Sequence, residues 1–500
     1  MQVTLDKLSN RLSGTDFGKA ALWLIFSIIV LVLSLFFGLL AVTASPILIG
    51  MGAGLVVGVF LLMKPDLLIW LILILGLATG AFVSMAGPQF SKITWAVSIL
   101  GFVLLVLSLF NLLLTGKSKG QPAFIWIGLA FLVFALLTTL AQWDSTGEVI
   151  AGVKRLFQAY GLMFAFATLA LSSREMGRFQ KLLLVIALFQ LPFALYEFFV
   201  LVKERGGLSA GAEATDVVAG TFGANLEGGS PNSVMAVFLL MTMSFLFARW
   251  KEKLLSTPRL VLLSLPMVIV FFLGEVKVLF FLIPVAFLVL LKRDIPRRPV
   301  FFVMMTVFAL FFILLLGHLY ATFIIQKPIT DIIDDTLKYN VHETGYGTYY
   351  LNRVTVLGFW WQQQGWHDPV AFMFGHGLGS AFSAPGNLFP GHIAMKWPNY
   401  GIDLTTTSSL LWDTGVLGLT LFLLTLLSAW RACGILLRDS RDSRVVADAT
   451  AIQAAIALLV VFVNYNNTLV IHPSMEIIVA SVLGYLAYLY RQHRQDAASD

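Results

Sequence analysis

The feature that most constrains this chain is a series of continuous apolar runs, each long enough to cross a bilayer and separated from the next by a short polar break. A helix needs about 20 apolar residues to span the hydrocarbon core. Runs of that kind fall at 20–43, 46–63, 67–85, 93–115, 122–142, 156–171, 182–202, 233–249, 260–273, 276–291, 300–325, 405–430, 449–465 and 469–490, or about 14 spans. The sequence therefore predicts an all-α polytopic membrane protein. Only 12% of its 500 residues are charged, where a soluble domain carries about 25%. The run that begins at Ala20 exceeds the roughly 7–15-residue apolar core of a secretory signal and reads as a first span.

Lys and Arg orient these spans. With the N-terminus in the cytoplasm, the inside segments hold 23 of the 33 Lys and Arg, and 10 remain outside. Inverting one span would spoil the pattern downstream, so both termini are expected in the cytoplasm. The net charge of +6 is thus topological and implies no nucleic acid. One cysteine, Cys433, excludes an intramolecular disulfide and a cysteine metal site. The seven histidines lack zinc-type spacings, so neither metal nor cofactor is expected. The organisation reads as an N-terminal bundle (1–202), central spans with a non-cytoplasmic loop at 203–232 (203–325), a large non-cytoplasmic loop (326–404), and C-terminal spans with a cytoplasmic tail (405–500).

The large loop is too long for a connector, and it concentrates aromatic and amide residues. Tyr349, Trp360, Trp361 and Trp397 are candidate platforms for sugar rings; the plainer reading is an interfacial aromatic belt. Arg353 is either a surface residue or a phosphate clamp, since guanidinium offers fixed bidentate donors. The run Phe374-Gly375-His376-Gly377-Leu378-Gly379 predicts a tight turn with exposed backbone N–H groups. Beyond it, Asp413 leads into Gly415-Val416-Leu417-Gly418 near the start of a span.

This arrangement resembles the C-terminal core of the O-antigen ligase and O-antigen polymerase superfamily. There an acidic residue two positions before a Gly-hydrophobic-hydrophobic-Gly run opens the helix after the large loop, as Asp413 and Gly415 to Gly418 do here. Gly220-Thr221-Phe222-Gly223 with Asn232-Ser233 resembles the family's glycine-and-asparagine approach to a helix. Arg353 resembles its loop arginine, and Glu275-Val276-Lys277 falls where a Ser-Arg pair is frequent. The resemblance covers roughly residues 220–424. It implies a glycosyltransferase of the bacterial inner membrane that works on the periplasmic face in surface polysaccharide assembly. Donor and acceptor would be undecaprenyl-diphosphate-linked glycans, with membrane lipid and a chain-length regulator or other assembly proteins as partners. Ligases carry a His-Asn before the helix where this chain has Asp403-Leu404-Thr405-Thr406, which favours a polymerase or a ligase with another acceptor.

Such a reaction needs cations for the diphosphate and a base for the acceptor hydroxyl. Among the scarce outside cations are Lys154, Arg155, Lys277 and Arg353. The candidate bases are Asp403, His392, Asp413 and Glu275. For Lys154-Arg155 the alternative is snorkelling at a helix end. Residues 260–291 are too long for one untilted span and short for two, so Glu275 and Lys277 are expected at a turn below the membrane surface. A competing reading is a flippase for lipid-linked sugar, although no pair of similar halves is visible. Reporter fusions should give cytoplasmic signal after Asp500 and periplasmic signal near Gly386; a periplasmic signal at Asp500 would overturn the topology.

Overall fold

The computed structural model describes residues 61, 64–87, 93–114, 120–204, 214–225, 231–274, 276–320, 330–331, 349–383 and 389–499. The spans expected at 20–43 and 46–63 lie outside these residues, except for Leu61, and so does Glu275. Among the described residues every regular element is helical. Before the large loop the helices are, in order, α1 (Pro65–Ala86), α2 (Ile93–Leu114), α3 (Ala123–Ala141), α4 (Thr146–Phe157), α5 (Tyr160–Thr168), α6 (Ser173–Tyr196), α7 (Asn232–Lys251), α8 (Thr257–Gly274), α9 (Leu279–Leu291) and α10 (Pro299–Tyr320). Three short helices follow in the large loop, α11 (Thr355–Gln363), α12 (Pro369–Phe374) and α13 (His392–Lys396). The chain closes with α14 (Thr406–Asp439), α15 (Ser443–Phe462), α16 (Thr468–Ile471) and α17 (Pro473–Ser499). Nine helices among the described residues are long and apolar enough to cross a membrane, ten if the bent pair α4–α5 is one span. The protein is a multi-pass helical membrane protein.

The structure revises one span and divides another as expected. The run expected at 156–171 is a broken helix: α4 starts at Thr146 and bends 46° into α5. Hydropathy misses α4 because Glu148, Lys154 and Arg155 interrupt its apolar face. Residues 260–291 do divide in two, and α9 is only 13 residues long, about 20 Å at 1.5 Å per residue. Lys277 lies exposed in the break between α8 and α9, flanked by buried Val276 and Val278.

Close packing at the centre depends on glycine. A Cβ on Gly161 of α5 would overlap the Gly101 carbonyl of α2, and one on Gly101 would overlap the Gln158 carbonyl. Small residues of this kind let membrane helices approach backbone to backbone. α17 covers the other side of α5, where a Cβ on Gly484 would meet the Phe166 ring. At the bundle end opposite the large loop, Arg249 of α7 grips Asp448 of α15 through Nε (2.8 Å) and Nη2 (2.9 Å), and the Tyr485 hydroxyl donates to the same carboxylate at 2.6 Å.

Gly161→Val should lower the melting temperature in detergent by the equivalent of about 1–3 kcal/mol of overpacking. Gly177→Ala, where a Cβ meets nothing within 4 Å, should leave it unchanged or slightly raised. Equal melting for Gly161→Val and wild type would contradict the backbone contact.

Candidate functional site

The centre of the loop end is a junction between the glycine turn and the start of α14. Gly415 interrupts α14 with φ 65° and ψ −169°, a conformation that favours glycine. The interruption releases the Trp412 and Asp413 carbonyls from the helical ladder. They accept instead from His376 N–H (2.8 Å) and Gly377 N–H (2.9 Å). The Asp413 carboxylate accepts from Gly379 N–H (2.9 Å), Ala381 N–H (3.0 Å) and Ser380 Oγ (2.8 Å). Gly375, Gly377 and Gly379 all have positive φ, which lets the turn aim N–H groups at the Asp413 carboxylate and at the two freed carbonyls. A Cβ on Gly375 or Gly415 would overlap backbone of the other segment. Asp413, read from sequence as a possible base, is thus the anion that the turn is built around.

α4 lies against this turn. Ser145 caps it, accepting from Glu148 N–H at 3.3 Å. Glu148, Gly152 and Arg155 follow at i, i+4 and i+7, so they share one face. Gly152 is the contact point, because a Cβ there would overlap the Leu378 carbonyl. On one side of it, buried Glu148 accepts from His392 N–H (2.9 Å) and pairs with His392 Nδ1 (2.9 Å). This hydrogen bond raises the His392 pKa above its ordinary value, against the opposing effect of burial. The neighbouring His376 ring lies 6.1 Å away and stacks on Trp412. Burial, with His392 beside it, holds His376 down to about 4, so it stays neutral near pH 7.

On the other side of Gly152, the Arg155 guanidinium lies over the Phe382 ring, 3.0 Å from its centroid. Asp413 and Asp403 act on its charge, yet its Nη1 is buried and makes no hydrogen bond. Gly152, Arg155, Gly379, Phe382, Asp403 and Asp413 line a small cleft there. Burial raises the Asp403 pKa, partly offset by Ser383, which donates to it from Oγ and N–H. Lys154 takes a different direction, 4.6 Å from the Trp95 ring and acting on buried Glu476. Glu476 accepts from Gln158 Nε2 at 2.9 Å.

The other candidates are distributed around this centre. Arg353 Nε donates to the Tyr465 carbonyl at 2.6 Å, with its guanidinium 4.5 Å from the Tyr465 ring. Two residues further on, roughly 7 Å of extended chain, Asn467 Nδ2 donates to the Asp403 carbonyl at 2.6 Å. Between them the Asn466 carbonyl accepts from Thr406, and its Nδ2 donates to Ser233 at the start of α7. Trp360 is 5% exposed and stacks on Phe372, so it serves the loop's own core. Trp361 is half exposed. Trp397 packs edge-on against Phe359, and the Tyr349 ring covers Gly401. Of the four, Trp361 presents the most open ring face.

Sequence reasoning missed Glu148 and the Asn464–Thr468 segment. The signals available were a carboxylate seven residues before Arg155, and three asparagines around a tyrosine at a span end. Asp144, Glu148 and His392 bring ligand atoms within 4.8 Å of one another, a spacing that suits a divalent cation. Both Glu148 oxygens, however, already engage His392. No protein-family model and no curated protein matches this chain.

Asp413→Asn replaces one of the two carboxylate acceptors by an amide donor. Each turn donor left unsatisfied costs about 1–3 kcal/mol. The expected result is faster proteolysis and hydrogen exchange across residues 375–392, with α15 and α17 unchanged. Wild-type protection of that segment would show that Asp413 does not hold the turn.

Proposed function

We propose that this protein is a glycosyltransferase that moves a glycan from a polyprenyl diphosphate carrier to an acceptor hydroxyl, on the outer face of a bacterial inner membrane. The observation that carries the reading is the pairing on one face of α4 of a His–carboxylate dyad and a guanidinium with an unused donor. Glu148 and Arg155 are seven residues apart, about 10 Å along the helix. That separation is comparable to a sugar ring together with its phosphate. The motif resemblance at Asp413 and Gly415–Gly418 supports the same class, with the motif in a scaffolding role.

The chemistry follows from the charges. The acceptor oxygen attacks the anomeric carbon, the C–O bond to phosphate breaks, and the polyprenyl diphosphate departs with the electron pair. His392 takes the hydroxyl proton, and Glu148 orients its ring and stabilises the imidazolium that results. Arg155 meets the negative charge that develops on the leaving diphosphate, where a fixed donor in a desolvated cleft is most effective. Arg353, anchored on Tyr465, is a further cation of the loop end. The exposed Trp361 face offers a platform for the glycan. A carrier of lipid-linked sugar would need a polar path through the bundle, whereas these groups collect at one end of it.

Arg155→Lys and His392→Gln should each lower transfer between purified lipid-linked repeats by about 100-fold or more, at unchanged protein level. Full-length product from Arg155→Ala would overturn the assignment. The acid limb of the pH profile should follow His392, since only its neutral form accepts a proton. Glu148→Gln removes the interaction that raises that pKa, so the acid limb should move to lower pH while the maximal rate falls. A limb that stays in place would exclude His392 as the base.

A further inference from the structure

The bundle end opposite the large loop carries a second feature that glycan transfer does not use. Beside the end of α9, between the last turns of α14 and the middle of α15, lies a cavity of ≈ 530 Å³, lined by Trp430, Arg431, Gly434, Ile435, Arg438 and Gln453. Lys292 closes one edge, donating to Gln453 Oε1 and lying 5.2 Å from the Trp430 ring. Arg293 is beside it, its Nη2 donating to the Leu437 carbonyl at 2.8 Å. Arg431 is exposed. Arg438 is 78% exposed and pairs with Asp439, the acid at this edge.

The face of α14 that borders the cavity changes character along its length. Leu424, Leu427, Arg431, Gly434 and Arg438 recur at alternating steps of three and four, which places them in one stripe. Leu424 and Leu427 are 42% and 54% exposed, whereas the stripe beyond them is cationic. At Gly434 a Cβ would meet nothing within 4 Å, so this position leaves the floor of the cavity open. Trp430 borders the transition, as aromatic residues do at membrane–water interfaces.

We propose that this groove binds an anionic phospholipid, with its phosphate between Arg431, Arg438 and Lys292 over Gly434 and an acyl chain along Leu427 and Leu424. The apolar continuation of the stripe is what selects a lipid over a soluble phosphate. Basic pockets between membrane helices hold anionic headgroups through charge and through the chain beside them. The inference does not depend on the transfer reaction.

The test uses the full chain in nonionic detergent, with lipid binding read by native mass spectrometry and by melting temperature. Phosphatidylglycerol should bind and raise the melting temperature, and phosphatidylcholine should do neither. Arg431→Gln and Arg438→Gln should each weaken phosphatidylglycerol binding by about fivefold, and the double variant by about 25-fold if the two add. Gly434→Leu fills the groove without changing charge and should abolish binding; its helix face is open, so folding should persist. Equal stabilisation by phosphatidylcholine would overturn the proposal. So would full stabilisation by inorganic phosphate alone, which would mark a simple anion site. Wild-type phosphatidylglycerol binding by either the double variant or Gly434→Leu would also reject it.

Discussion

The loop end of this protein depends on one carboxylate. Asp413 receives two backbone N–H groups and a serine hydroxyl from the turn at 379–381, while its own carbonyl and that of Trp412 receive two more N–H groups. A buried segment that is neither helix nor strand must find partners for its backbone polar groups. Here a single break in α14 at Gly415 supplies the carbonyls, and the residue two before it supplies the anion. Everything placed against the turn inherits its position from this junction: α4 through Gly152, His392 through the Ser380 carbonyl, which accepts from Ile393 and Ala394, and Phe382 beneath Arg155.

The same physical solution recurs at another irregular segment of the loop end. Glu197, in the π-helical turn after α6, accepts from Ala219 N–H (2.8 Å) and Gly220 N–H (2.7 Å). Gln190 accepts from Thr221 N–H and donates to its hydroxyl, which in turn donates to the Leu77 carbonyl of α1. Gly220 and Gly223 have positive φ, and Gly80 admits the Phe222 backbone. In both segments an acidic side chain on a long helix ties down a glycine-containing turn. These carboxylates have ample structural reason to be where they are. Glu148 differs in that, besides the His392 N–H, it holds a titratable imidazole.

The two ends of the bundle therefore set similar residue types in different surroundings. At the loop end, Asp403, Asp413 and Glu148 are held by donors from the turn and from His392. At the opposite end, Arg249, Asp448 and Tyr485 lock α7, α15 and α17 together, while Lys292, Arg293, Arg431 and Arg438 collect around an open groove. Burial separates these roles more than charge does. A cation such as Arg155, desolvated against an aromatic ring, is suited to act on developing charge. An exposed one such as Arg431 is suited to reversible contact with a headgroup.

Much of this architecture was legible in the sequence. Continuous apolar runs require helices in a membrane, so most spans follow from hydropathy and length alone. The glycine turn was visible as a backbone signal, because positive φ falls so heavily on glycine, and the Asp413–Gly415 motif through its family resemblance. The site was legible only in part. His392, Arg155 and Asp413 stood out as scarce polar groups, but their roles separate only through their partners. Glu148 fell in the connector between two expected spans, while Trp360 looked like a platform for sugar and Lys154 like the equal of Arg155. Their true neighbours come from Gly379, Phe372, Trp95 and Glu476, which lie far away in sequence or on other helices. Composition and periodicity determine which segments are helical and which face is apolar, since those depend on each residue's own transfer energy. Which carboxylate holds a turn and which pairs with a histidine depends on contacts across the fold, and only the tertiary structure decided that.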